Sequence, residues 1–96
     1  MRRSETVKIR EIVQAILKEQ GIEGKMAENR LLNSWNELLG KTIANSTQEI
    51  YIKNNTLFVH LRSSVIRHQL MMIKPDLIKR LNEKAGIVII ENIVLR

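Results

Sequence analysis

Hydrophobic residues recur with the helical period of 3.6 in two segments of the N-terminal half of the chain. The first segment covers residues 6–20. The second covers residues 26–39 and stops at Gly40, although a short turn through Ile43 and Ala44 could extend it. Glycines follow both segments, as is common at helix C-termini. The pattern therefore predicts two helices, whose apolar stripes are Ile9, Ile12, Val13, Ile16 and Leu17 in the first and Leu31, Trp35, Leu38 and Leu39 in the second.

The period changes from 3.6 to 2 after residue 48, which indicates a β-hairpin. Residues 49–53 and 56–61 alternate apolar and polar positions. Asn54 and Asn55 lie between them and tolerate the positive φ angles that a two-residue turn requires. One face of the hairpin must pack on the core, and it consists of Ile50, Ile52, Leu57, Val59 and Leu61. The other face pairs Lys53 with Thr56, Tyr51 with Phe58 and Glu49 with His60.

A third helix and a last strand complete the predicted fold. Ser63 or Ser64 is a suitable N-cap for a helix that runs to about Lys84, and Pro75 is expected to kink it near the middle. Its apolar stripe is Ile66, Leu70, Ile73, Leu77 and Leu81. Residues 87–90 and 93–95 predict one strand, bulged around residues 91–92. The predicted fold is α+β, of the order α-α-β-β-α-β, a three-stranded sheet with helices packed on one face.

Length and composition narrow the class of protein. The 96 residues are expected to form a single domain spanning residues 1–96. A hydrophobic fraction of 44% excludes an intrinsically disordered chain. The absence of cysteine excludes disulfides, thiolate zinc sites and a cysteine nucleophile. No apolar run approaches the ~20 residues of a membrane span, so a cytoplasmic protein without a membrane partner is expected.

The net charge of +6 favours an anionic partner, most often nucleic acid, although solubility alone would also explain it. The positive charge is concentrated between residues 62 and 84, a segment that contains six basic and two acidic residues. Catalytic and metal motifs are not apparent. His60 and His68 lie on different predicted elements, and Ser64, one turn before His68, has no orienting carboxylate. We therefore predict a non-enzymatic protein without a metal or cofactor.

Two places suit nucleic acid. Arg62, Ser63 and Ser64 combine a guanidinium, hydroxyls and helix N-terminal amides, which suits a phosphate, although ordinary capping explains the serines equally well. Tyr51 and Phe58 lie among basic residues and could stack bases, or could simply form a cross-strand aromatic pair. The candidate nucleic-acid-binding residues are Tyr51, Lys53, Phe58, His60, Arg62, Ser63, Ser64, Arg67 and Lys74.

A GxxG pattern over residues 21–24 also matches the loop with which KH domains clamp a nucleic-acid backbone. No strand precedes it, so a plain helix–helix turn is the favoured interpretation.

Apolar residues extend beyond the main stripe of the third predicted helix. Met71, Met72, Ile78 and Val65 either bury a second side of this helix or form an adaptable patch for a protein partner. Trp35 is favoured as a core residue, with a partner contact as the alternative. The candidate partner-binding residues are therefore Met71, Met72, Ile78 and Trp35. A purely structural oligomerisation module would use the same patch but would leave the charge unexplained.

An ordered set of residues over about 29–96 resembles the DciA-like family of bacterial proteins. The set is Trp35, Leu39-Gly40, Ile43-Ala44, Ser46-Thr47, Leu57-Phe58-Val59, Ser63-Ser64, Leu70, Leu81-Asn82, Gly86 and Ile93-Val94-Leu95-Arg96. The resemblance implies a KH-like fold of the α-α-β-β-α-β kind, similar to the N-terminal domain of the bacterial replication initiator. It also implies association with the hexameric replicative DNA helicase, assisting its loading or activity, together with DNA binding.

The leading hypothesis is therefore a non-enzymatic adaptor between the replicative helicase and DNA. The alternative is a general nucleic-acid-binding domain, for RNA or DNA, without a helicase role. The sequence leaves the oligomeric state open.

Overall fold

A computed structural model describes residues 11–12 and 22–96 of the chain. Its elements are α1 (Ile22–Ser46), β1 (Thr47–Lys53), β2 (Thr56–Leu61), α2 (Ser64–Met72), α3 (Lys74–Ala85) and β3 (Asn92–Leu95). Of the helix predicted over residues 6–20, only Glu11 and Ile12 are described, and both are helical. The α+β class and the three-stranded sheet are confirmed. The observed order of these elements, α-β-β-α-α-β, differs from the predicted one.

The hairpin forms in the predicted register. Lys53 is paired with Thr56, Tyr51 with Phe58 and Glu49 with His60. The two turn residues, Asn54 and Asn55, have φ angles of 52° and 58°. Asparagine adopts this left-handed region more readily than most residues, and two such residues in succession match the right-handed twist of the flanking strands. The turn therefore fixes which side chains share each face of the sheet.

The third strand joins the hairpin in parallel. The strand order is β1-β2-β3, with Phe58 of β2 beside Val94 of β3. A parallel pair needs a crossover of a dozen or more residues, which α2 and α3 supply.

The prediction of a strand over residues 87–90 is wrong. There the side chain of Asn82 accepts from the amides of Ile89 and Ile90, at 2.9 and 3.1 Å, and donates to the Ile90 carbonyl at 2.9 Å. The Asn82 side chain therefore makes the hydrogen bonds that a neighbouring strand would otherwise make with residues 89 and 90.

Helix α1 contains a break at the predicted position. Gly40 has φ 84° and ψ 172°, a conformation essentially restricted to glycine, and helical residues continue after it to Ser46. The extension through Ile43 and Ala44 is thus confirmed. The helix begins at Ile22 rather than at residue 26, so Gly24 is helical rather than part of a loop. Gly21 lies outside the described residues.

The prediction of one long third helix with a kink is also wrong, because the chain forms two separate helices. Ile73 ends α2 and precedes α3, with φ −112° and ψ 16°. Pro75 occupies the first turn of α3, where its missing N–H costs nothing, whereas inside a continuous helix its ring would clash with the carbonyl of Met71. The break turns Ile73 out of the apolar stripe, and its side chain is 45% exposed.

The helices pack on the face of the sheet that carries Leu57, Val59 and Leu61, as predicted. The buried core is Ala27, Leu31, Trp35, Leu57, Val59, Leu61, Leu70, Leu77, Leu81, Ala85, Ile90 and Ile93. In the part of the chain that the structure describes, no helix has the length and apolar character needed to cross a membrane.

Candidate nucleic-acid interface

The face of the sheet opposite the helices carries four of the nine predicted nucleic-acid-binding residues, Tyr51, Lys53, Phe58 and His60. Because side chains alternate along a strand, the observed register places on this outer sheet face the side chains of Glu49, Tyr51, Lys53, Thr56, Phe58, His60, Asn92, Val94 and Arg96. Glu49, Lys53, His60 and Arg96 are exposed, and Tyr51 is 38% exposed. The face therefore combines aromatic and basic groups at the surface.

On the outer sheet face, the rings of Tyr51 and Phe58 stack across β1 and β2, and the guanidinium of Arg96, just after β3, continues the stack. The rings of Tyr51 and Phe58 are parallel to within 13°, with centroids 5.0 Å apart. On the far side, the guanidinium carbon of Arg96 lies 5.3 Å from the Phe58 centroid. Because β1 and β3 flank β2, Tyr51 and Arg96 cover opposite faces of the Phe58 ring. The aromatic pair is thus a cross-strand contact, as one of the two interpretations of the sequence expected.

Arg96 was not among the residues proposed from the sequence. Its amide donates to the Val59 carbonyl at 2.9 Å, and its carbonyl accepts from the Leu61 amide at 2.8 Å. These bonds extend the parallel ladder beyond β3 and fix the residue beside β2. The alternation of the last strand already places Arg96 on the same face as Val94. Only the pairing with β2, however, brings it to Phe58.

The outer sheet face holds a shallow groove rather than a small-molecule pocket. The groove has a volume of about 70 Å³ and is lined by Glu49, Tyr51, Phe58, Val59, His60 and Arg96. Pockets that bind small molecules generally enclose about 300 Å³ or more. The geometry therefore suits contact with an extended partner that lies along the surface.

Next to this face, residues 62–64 connect β2 to α2 and act as helix caps. The Ser63 hydroxyl accepts from the Ile66 amide at 3.2 Å, and the Ser63 amide donates to the Ser46 hydroxyl at 3.2 Å. Arg62 donates through Nη1 to the Asn45 carbonyl at 2.8 Å, at the C-terminal end of α1. Capping thus accounts for Ser63, while Arg62 and Ser64 remain exposed to solvent.

The remaining basic residues of the 62–84 segment do not form one cluster. Arg80 pairs with Asp76 at 2.8 Å, and Lys84 lies 3.9 Å from Glu37. Among the described residues, Arg67, Lys74 and Lys79 make no such ion pair. Lys74 begins α3, which follows the nine-residue helix α2. It therefore lies on the helical layer rather than on the outer sheet face.

The proposed partner residues fall into two groups. Met71 and Met72 are exposed, at 56% and 73%. Ile78 is half-buried and packs against the core. Trp35 is 1% exposed, and its Nε1 donates to the Thr47 hydroxyl at 2.9 Å, so its assignment as a partner contact is corrected to core. Together with two further exposed side chains, the methionines form what we call the α2 patch: Val65, Met71, Met72 and Ile73.

Comparison with models of known protein families identifies the family of the chain. A family model described as "Dna[CI] antecedent, DciA" matches residues 8–95. The chain belongs to the DciA family. No curated protein and no solved structure matches it significantly.

Membership of the DciA family extends the resemblance seen over residues 29–96 to almost the whole chain. The family is associated with the replicative DNA helicase and is not a known enzyme family. Membership therefore supports a helicase-associated role in DNA replication in general terms. No group of three or more His, Asp or Glu side chains within residues 11–12 and 22–96 could hold a metal ion.

Proposed function

We propose that this DciA-family chain is a non-enzymatic DNA-replication adaptor that binds the replicative helicase and DNA and assists helicase loading or activity. The family match over residues 8–95 carries the helicase half of this proposal. The outer sheet face, with its exposed basic and aromatic side chains, supports the DNA half.

The α2 patch is the proposed helicase contact. Its four side chains are between 45% and 73% exposed and lie on α2 and at its junction with α3. Grouped apolar side chains at a surface are typical of protein–protein contacts. Methionine adds adaptability, because its unbranched side chain fits irregular partner surfaces.

The outer sheet face and the exposed residues at the start of α2 are the proposed DNA contacts. Lys53 and His60 are exposed on the same face as the aromatic pair, and Arg62 is exposed just after β2. Basic groups of this kind hold phosphates, while aromatic rings stack on bases. A KH-type clamp is not part of this proposal. The turn between α2 and α3 joins two helices after a strand, but residues 72–74 contain no glycine.

The helicase contact is tested with Met72→Asp and a matched control. Val88 is as exposed as Met72, at 76%, but lies beyond the far end of α3, a helix about 18 Å long. Met72→Asp is expected to weaken binding of the purified replicative helicase by about tenfold or more, because burying an unpaired carboxylate in an apolar contact is unfavourable. Val88→Asp is expected to bind normally, and both variants should melt like the unmodified chain.

Equal helicase binding by Met72→Asp and the unmodified chain would remove the α2 patch from the proposal. If the unmodified chain binds DNA or RNA but no helicase, the adaptor proposal fails. The general nucleic-acid-binding function would then replace it.

A further inference from the structure

We propose that Arg96 contacts nucleic acid on the outer sheet face, that Phe58 is the positioning residue for its guanidinium, and that Tyr51 alone of the aromatic pair stacks a base. This inference rests on the DNA half of the proposed function. It assigns a separate role to each member of the stack.

Phe58 has no free ring face with which to stack a base. Tyr51 covers one face at a centroid distance of 5.0 Å, and the Arg96 guanidinium covers the other at 5.3 Å. A base could stack on Phe58 only by displacing one of them. Tyr51 differs, because Phe58 covers only one of its faces and β1 is an edge strand of the described sheet. Its side chain is 38% exposed, so an unpaired base can reach its outer ring face.

Arg96 is held in a conformation that suits a phosphate. Two backbone hydrogen bonds to β2 fix its main chain, and a guanidinium within about 6 Å of a ring centroid is attracted to the ring face. Stacking restricts the side chain before a ligand arrives, so less conformational entropy is lost on binding. The planar guanidinium can then present two N–H groups to the oxygens of one phosphate.

The positive charge of Arg96 is also free to interact with an anionic ligand. Glu49 lines the same groove, but among the described residues no carboxylate lies within 4.0 Å of the Arg96 guanidinium. The groove's other polar side chains, those of Tyr51 and His60, are not carboxylates. An anionic ligand therefore meets a cation that has no ion-pair partner in the described structure.

The experiment measures binding of a short fluorescein-labelled oligothymidine to the full chain, over a series of salt concentrations. Arg96→Ala is expected to weaken binding and to reduce the slope of log affinity against log salt by about 0.7, the value for one phosphate of a single strand. Arg96→Lys keeps the charge and should keep the slope. Tyr51→Ala should lower the affinity for the oligothymidine about 5- to 150-fold, which corresponds to about 1–3 kcal/mol for one stacked base. Tyr51→Phe should bind with normal affinity.

The role of Phe58 is tested by a double-mutant cycle. Phe58→Leu is expected to weaken binding about two- to fivefold, the range of an exposed cation–π contact. It should have no further effect when Arg96 is already Ala, because it acts through the guanidinium. Phe58→Tyr retains the ring and should restore the affinity. Thermal melting of every variant separates loss of binding from loss of folding.

Two results would overturn the inference: an unchanged affinity and salt slope in Arg96→Ala, or an equal effect of Phe58→Leu with and without Arg96. Either can occur while the unmodified chain still binds DNA, in which case the proposed function stands without this assignment. If the unmodified chain binds no oligothymidine and no duplex DNA, the DNA half of the proposed function fails as well.

Discussion

Trp35 joins helix α1 to strand β1 through a hydrogen-bonded chain of three residues. Its buried indole N–H donates to the Thr47 hydroxyl, which in turn donates to the Ile43 carbonyl at 2.8 Å. Burial of the large ring stabilises the core, and the hydroxyl satisfies a donor that would otherwise be buried without a partner. The residue is thus central to folding rather than to partner binding.

Trp35→Ala is expected to lower the free energy of unfolding by about 3–5 kcal/mol, because it removes the largest side chain of the core. Thr47→Val should lower the free energy of unfolding by about 1–3 kcal/mol, because it leaves the indole N–H without an acceptor. Thr47→Ser keeps the hydroxyl and should leave the stability nearly unchanged. Urea denaturation followed by circular dichroism measures all three. A Trp35→Ala protein as stable as the unmodified chain would contradict the core assignment.

The sequence predicted the burial of Trp35 because the helical stripe around it is local. It did not predict Arg96 as a site residue, because the contact with Phe58 requires β3 to pair with β2 across a crossover of two helices. Ile78 lies off the main stripe, so the sequence left two interpretations open, burial of a second side of the helix or a contact with a partner. The observed helix, however, packs that position against the core.

At the scale of the elements, two glycines of α1 have opposite roles. Gly24 lies in regular helix, whereas Gly40 interrupts the helix at φ 84°. An added Cβ would have nothing within 4 Å at either position. A change in stability on substitution of either glycine by alanine therefore reflects the backbone conformation at that position and not a steric clash.

Gly40→Ala is expected to destabilise the chain by about 1–3 kcal/mol, because an L-residue is strained at this φ and ψ. Gly24→Ala should instead stabilise it by about 0.5–1 kcal/mol, since alanine loses less entropy in a helix than glycine. Thermal or urea unfolding of the two variants measures the difference. A Gly40→Ala protein as stable as the unmodified chain, or more stable, would show that the break at Gly40 does not require glycine.

The register of the hairpin was predictable to the residue, because its two-residue turn and alternating strands specify it locally. The first strand, however, begins at Thr47, two residues before its predicted start. The helix break at Ile73 was not, since Pro75 is compatible with a kink inside one helix and with the first turn of a new one. The strand expected over residues 87–90 failed for a non-local reason. The Asn82 side chain satisfies the backbone groups that a neighbouring strand would otherwise pair. The KH-like topology implied by the resemblance stays a prediction.

At the scale of the whole molecule, the two proposed surfaces are formed by different elements. The helices cover one face of the sheet, and the α2 patch consists of exposed side chains of α2 and of its junction with α3. The outer sheet face points away from the helices. An adaptor that holds two partners at once needs this separation, so that neither partner excludes the other.

The two surfaces should also respond differently to salt. Contacts with phosphates release counterions, so DNA affinity is expected to fall by about 0.9 log unit per log unit of salt for each duplex phosphate contacted. Apolar contacts of the α2 patch are not screened by salt. Arg62→Ala combined with Arg67→Ala should flatten the DNA slope and leave helicase binding unchanged.

The central claim, that one domain binds helicase and DNA through separate surfaces, is tested most directly by measuring both affinities across one salt series. The chain is immobilised, and the purified helicase and a duplex oligonucleotide are applied separately at each concentration. We expect DNA to dissociate at moderate salt while the helicase stays bound. If helicase affinity falls in parallel with DNA affinity, or no helicase binds at any salt concentration, the account is contradicted.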